Sequence, residues 1–284
     1  MVFVGFITVI GCVIAGYMMH HGVLGLLWQP NEVIIICGAA FGSFLIANPP
    51  SLVKETFKSI PKIFLGKELK QDAYVDVLLL LFEFLSIARR EGMLALEEHA
   101  NRPDSSAIFA KYPSILKNHH LKDFIADNLK VFVSGNIEPS EFENLMDIDT
   151  DVHEHHGSLI PSALTTVSDS LPGLGIVAAV LGIITTMGLM TEPPEILGAS
   201  VGAALCGTFL GLLLSYGYMA PMAKSLENQA HDLNNILKVA KAVLLAFSKG
   251  LPPVMAIEFA RRAVPSNFRP GYEEMEDLLK TVKK

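Results

Sequence analysis

The sequence predicts an all-α integral membrane protein with four transmembrane helices in two hairpins. A helical cytoplasmic domain lies between the hairpins and a cytoplasmic helical tail follows them. Three observations predict this. First, 51% of the 284 residues are hydrophobic and the mean hydropathy is +0.42, too apolar for an ordinary soluble domain of this size. Second, four charge-poor segments, about 2–19, 33–47, 171–190 and 197–222, approach the roughly 20 apolar residues needed to cross about 30 Å of hydrocarbon. Third, Lys and Arg are absent from all four spans and both hairpin tips: residues 49–168 hold twelve and residues 223–284 the other ten of all 22. The positive-inside rule therefore places those two segments and both termini in the cytoplasm. The expected division is 1–48 (first hairpin), 49–168 (cytoplasmic domain), 169–222 (second hairpin) and 223–284 (tail).

Span one, MVFVGFITVIGCVIAGYMM, lacks the positive n-region of a cleavable signal and reads as a span. The tip HHGVLGLLWQPNE carries Trp28, an interfacial aromatic. Span two, VIIICGAAFGSFLIA, is short and takes Asn31 and Asn48 as interfacial caps; Pro49 and Pro50 end it. In SLVKETFKSIPKIFLGK, Lys54, Lys58 and Lys62 share one helical face and Val53, Phe57, Ile60 and Phe64 the other. That pattern suits the lipid surface and, equally, a helix packed on its own domain; Pro61 kinks either.

AYVDVLLLLFEFLSIA imitates a fifth span. It contains Asp76 and Glu83, and a central acid costs about 2.5–3.5 kcal/mol on insertion. It is expected to be a long helix buried in the cytoplasmic domain. A break at Gly92, a short helix through MLALEEHA and a turn at NRPDSS follow. Helices are expected around 121–134 and 140–151, with Gly135 as a stop and Ser140 with Glu143 as a capping box.

Small residues crowd the second hairpin: Gly173, Gly175, Ala178, Ala179 and Gly182, then GASVGAALCGTFLG after the tip TEPPEI. Such residues let helices approach closely, within one chain or in an oligomer. Pro172 is expected in the first turn of span three, where proline is tolerated. Apolar residues at helical spacing carry span four on to about Leu245, so Pro221 would remove a hydrogen bond inside that helix and make a joint. Thr208 is the clear hydroxyl deep in span four, and a lone span threonine commonly bonds its own backbone. LPP at 251–253 separates this helix from PVMAIEFARRAV, and the terminal GYEEMEDLLKTVKK runs from acids to lysines, matching the helix dipole.

Several functions are disfavoured. A net charge of −7 and a pI near 5.7 argue against nucleic acid as a partner. Cys12, Cys37 and Cys206 lie in apolar runs and read as small buried hydrophobes. DVHEHHG (Asp151–Gly157) is not the two-histidine helical zinc motif, because adjacent His155 and His156 point apart; it reads as a solvated interhelical loop. There is no phosphate-binding glycine loop, serine elbow or Cys–His pair, so neither an enzyme nor a metal or other cofactor is expected. Intramembrane acids mark ion paths, and none is expected at mid-depth, Glu32 and Asp169 lying at span edges. Either the chain moves no ions or a partner chain brings the acid.

ALCGTFLGLLLSYGYMAP (Ala204–Pro221) resembles the span-four signature of the MotA family of flagellar motor stator subunits. DSLPGLGIVAAVLG is similar to that family's third span, QPNEVIIICGAAFGSF to its second, ARREGMLALE to its cytoplasmic charged motif and IEFARRAV…RP to its closing segment. The resemblance implies a bacterial inner-membrane channel, a homo-oligomeric ring of five copies around two helices of a MotB-like partner. That partner has a single span, binds peptidoglycan and brings the ion-carrying carboxylate. The ring would drive a FliG-like rotor switch protein. By position, Arg89 and Glu97 match the rotor-contact pair, with Arg90 adjacent; Pro172 and Pro221 match the prolines of conformational coupling, and Thr208 the threonine beside the partner's acid. Ala179 stands where sodium-type relatives carry threonine, which implies H+ rather than Na+ as the transported ion. The alternative is an ExbB- or TolQ-like energiser of outer-membrane processes. Four spans, the charged motif and the long tail disfavour it.

Overall fold

The computed structural model describes residues 2–65, 71–135 and 137–282, with the side chains of Lys62 and Leu65 outside that description. All regular elements among the described residues are helical. In chain order they are α1 (Val2–Met19), α2 (Leu24–Leu27), α3 (Pro30–Ala47), α4 (Pro50–Leu65), α5 (Gln71–Glu91), α6 (Glu97–Asn101), α7 (Pro113–Leu116) and α8 (His119–Val133). They continue with α9 (Pro139–Met187), α10 (Pro194–Leu212), a π-helical stretch (Leu213–Met219), α11 (Ala220–Ser248), α12 (Pro253–Arg261) and α13 (Tyr272–Val282). Short 3₁₀ turns fill Met93–Leu96, Pro103–Ser105 and Phe109–Lys111.

The chain forms two compact units, residues 1–66 with 157–228 and residues 67–156 with 229–284. The first holds the apolar stretches long enough to cross a membrane: α1, α2–α3, the apolar part of α9 and that of α10 with its extension. α3 buries one residue every four, Glu32, Ile36, Ala40 and Phe44, a single helical stripe. Ile36 and Ala40 meet Leu171 and Ala178 of α9. α4 packs inside this unit: Ile63 joins Leu164, Met222, Ala223 and Leu226. Phe57 stands edge-on to Phe41 and Phe44, and Phe64 edge-on to Phe6. Lys54 and Lys58 remain exposed, and the third lysine of the expected basic stripe, Lys62, is outside the described side chains. At the ends of α3, Asn48 donates from its side chain to Phe44 O at 2.8 Å, whereas Gln29, not Asn31, holds the position before the first turn.

The second unit is built around α5. Tyr74, Val77, Leu78, Leu80, Leu81, Phe82, Phe84 and Leu85 are all fully or almost fully buried, each large apolar side chain contributing roughly 1.5–3 kcal/mol relative to exposure. Helices α6, α8, the second half of α11, α12 and α13 cover it. The two acids that keep this apolar helix out of hydrocarbon also anchor it. Glu83 accepts bonds from Lys111 at 2.5 Å and from the Tyr112 hydroxyl at 2.8 Å, and Asp76 accepts one from Ser114. Burial, then the Glu83 bond, pushes the Tyr112 hydroxyl well above the usual phenol value.

Two expectations are corrected. The DVHEHHG segment is not a solvated loop but part of the continuous helix α9. From α11, Lys238 meets Glu154 of this segment at 3.1 Å, and in the preceding turns of α9 Lys241 bonds Asp147 and Lys249 meets Glu143 at 3.0 Å, while His153 lies 3.6 Å from Asp149. Bonds from Lys238 and Asn234 hold the Glu154 carboxyl below its ordinary value. The capping box at Ser140 is also corrected. Pro139 opens the helix, suiting its fixed φ, and Glu143 points to Lys249 instead. Gly135 does stop α8, with φ +70°. Of the terminal lysines, Lys280 bridges Glu276 at 3.0 Å, and Lys283 and Lys284 lie outside the described residues.

Candidate functional site

In the first unit, α9 and α10 touch backbone to backbone. A β-carbon at Gly211 would lie 2.6 Å from Leu171 O, one at Gly175 would lie 2.8 Å from Gly207 O, and one at Gly207 would lie 3.0 Å from Ala179 N. No ordinary side chain tolerates such distances, so the glycines are required for the approach. Ala179 is buried at this interface and Thr208 half-buried beside it. The threonines Thr8, Thr165, Thr166, Thr185 and Thr186 each return their hydroxyl to a carbonyl four residues back. Thr208, expected to do the same, makes no such bond among the described residues, which leaves its hydroxyl available.

Pro172 is not in a first turn: it lies deep inside the continuous α9. Having no N–H, it leaves the carbonyl of Ser168 without its helical donor. Pro221 follows the π-helical stretch after one residue, Ala220, whose N–H bonds Ser215 O, five residues back. The wider turn is how this helix accommodates a proline without breaking. The two joints meet. The Ser168 hydroxyl lies 3.2 Å from both Ser215 O, to which it donates, and Ser215 Oγ, and both serines are buried. Sequence reasoning did not single out these serines.

Glu32 lies in the first turn of α3, at the span edge as expected, but sequence reasoning did not foresee its burial. Its side chain is 8% exposed and lies among the small residues of α9 and α10. A β-carbon at Gly182 would sit 3.4 Å from Glu32 Oε1, and one at Gly207 would sit 3.0 Å from Oε2. Oε2 has no hydrogen-bond partner among the described residues. The four-residue spacing Glu32–Ile36–Ala40–Phe44 was the available signal, since it puts the acid on the buried stripe. Asp169, the other expected edge acid, is exposed.

In the second unit, Arg89 and Arg90 close α5 and Glu97 opens α6, each charge at the helix end that favours its sign. Gly92, at φ +90°, makes the turn between them. All three side chains are exposed; Arg90 lies 3.6 Å from Glu91, and no ion pair joins Arg89 to Glu97 among the described residues. Arg89 and Arg90 line a cleft with Glu83, Ser86 and Lys111 and with apolar residues such as Ile87, Ile108 and Val254. Among the described residues no group of three or more His, Cys, Asp or Glu is arranged to hold a metal.

Two family models match the chain: "Motility protein A N-terminal" over residues 3–92 and "MotA/TolQ/ExbB proton channel family" over residues 116–238. The chain is 38% identical to motility protein A of Escherichia coli K12 over 283 residues, covering 100% of this chain and 96% of that protein. It is 34% identical to chemotaxis protein LafT of Vibrio parahaemolyticus over 277 residues, covering 98% and 97%. Its fold is shared with a chain of the C. jejuni MotAB structure (TM-score 0.78, 20% identity, 94% and 96% covered). It is also shared with a chain of the flagellar MotAB stator complex from Bacillus subtilis (TM-score 0.72, 23% identity, 98% and 98% covered). The chain belongs to the MotA/TolQ/ExbB proton channel family, on its motility protein A branch.

Proposed function

We propose that this chain is a stator subunit of the bacterial flagellar motor. With a single-span, MotB-like, peptidoglycan-binding partner it forms an inner-membrane ion channel whose flux drives torque on the rotor. The observation that carries the reading is the 38% identity to a motility protein A through both hairpins, the segment between them and the tail. In this reading 1–48 and 169–222 are the membrane hairpins, and 49–168 and 223–284 are cytoplasmic. The chain assembles as a ring, in five copies. Arg89, Arg90 and Glu97 face a FliG-like switch protein; their exposure suits repeated weak electrostatic contacts. Pro172 and Pro221 couple ion passage to movement, and the available hydroxyl of Thr208 faces the path. The ion is H+, because Ala179 supplies no oxygen to replace the hydration of Na+.

The test is deletion of the gene in its native host. Filaments present on paralysed cells, with swimming restored by this chain, is the expected result. Normal swimming of the deletion strain together with impaired outer-membrane uptake would replace the reading with an ExbB-like one.

A further inference from the structure

Span three runs over about 171–190 and span four over about 197–222 in the sequence. Gly182 in span three and Gly207 in span four both face the carboxylate of Glu32, which stands in the first turn of α3. This side chain is 8% exposed, and its Oε2 has no hydrogen-bond partner among the described residues. No Lys or Arg occurs in any span. A bare carboxylate without a counter-charge is not sustained in such surroundings, so it must bind a cation. Cys206, next to Gly207, gives its thiol hydrogen to Leu26 O. Leu26 in turn lines an open cleft with Gln29, Glu195, Ser200 and Ala203, the last adjoining Ala204 of the cradle.

We propose that Glu32 is a proton-holding site on this chain's own part of the conduction path. It accepts a proton and passes it to the next acceptor, a water or carboxylate on the partner helix. Only O–H bonds form and break, and the carboxylate is regenerated. Glycine at 182 and 207 is then needed twice: for helix approach, and to leave room for the two carboxylate oxygens. This inference rests on the channel reading above.

The test uses the full chain co-expressed with its partner in native membranes. An apolar carbodiimide, which attaches covalently to protonated carboxyls in apolar surroundings, is applied and the Glu32 peptide is read by mass spectrometry. In parallel, proton uptake into vesicles is followed under an imposed potential for wild type, Glu32→Gln and Glu32→Asp. Each variant is checked for membrane level and partner co-purification. The expected result is label on Glu32, loss of uptake in Glu32→Gln and retained uptake in Glu32→Asp. Gln has nearly the same shape, so a packing role alone would leave uptake intact. A conducting wild type without label at Glu32, or an equally conducting Glu32→Gln, overturns this inference alone. A wild-type complex that conducts no protons overturns the channel reading, and the relay with it.

Discussion

The most apolar of the four spans is the least buried. No residue of α1 is buried, whereas α9 and α10 are pressed together until only glycine fits between them. In water the greasiest helix would be the most covered. In lipid the solvent is itself hydrocarbon, so apolarity says only that a helix belongs there, and close packing of small residues decides which helices hold each other. Gly5, Gly11 and Gly16 in α1 have nothing within 4 Å of a β-carbon, while Gly175 and Gly211 would collide with backbone. Glycine content is therefore not the signal. Glycine facing glycine is. α1 offers Phe3, Val4, Ile7 and Ile10 outward, a face left to lipid and to other chains.

The strongest way to break this comparison is Gly211→Leu against Gly11→Leu. The first should abolish swimming and membrane accumulation, because overpacking typically costs about 1–3 kcal/mol and here the clash is with backbone. The second should leave both near wild type. Equal effects, read by immunoblot and swimming speed, would end the distinction. Next, Pro172→Ala and Pro221→Ala should accumulate normally yet paralyse the cell. Alanine at 221 restores a donor for the carbonyl of Gly217 and removes the reason for the π turn. Normal speed in both would reduce the second hairpin to packing alone.

Outside the spans the expected effects are smaller. Glu97→Lys, fully folded and at normal level, should slow or stop swimming; unchanged speed would remove this exposed charge from the working surface. Glu258→Gln should destabilise the chain by about 1–2 kcal/mol, since Arg261 holds Glu258 through two bonds of 2.7 and 2.9 Å and Arg262 adds a third at 3.3 Å. Bonding to Arg261 keeps the Glu258 carboxyl below its ordinary value. Its stabilisation is therefore present above the unfolded carboxylate value and fades as pH falls through the lower folded one. A thermal-melting series in acid should show the wild-type advantage over Glu258→Gln shrinking; a constant gap would contradict it.

The spans were legible in the sequence because each needs only its own composition, and the exclusion of α5 from the membrane needed only Asp76 and Glu83. What escaped depends on neighbours. The Asp151–Gly157 segment looked like a loop because its partners, Lys238 among them, lie far along the chain. Pro172 looked like a helix start because nothing local reveals that the helix runs in from Pro139. Glu32 looked peripheral because sequence gives position along a helix, not what the adjacent helices present at that level. Of the candidate site, the residue types were readable; the meeting of Ser168 with Ser215, and of Glu32 with Gly182 and Gly207, was not.

The π-helical stretch has one more consequence. A π turn is an α-helix that has gained a residue, and one residue rotates everything after it by roughly 100° about the helix axis. The rotation is what lets Met222, Ala223 and Leu226 look toward Ile63 and Leu164. A shortening of Leu213–Met219 by a single residue would leave a good helix with every face turned away from its partner. The span carries a phase as well as a length, and its sequence drift is constrained accordingly: substitutions there can be absorbed, but single-residue deletions cannot.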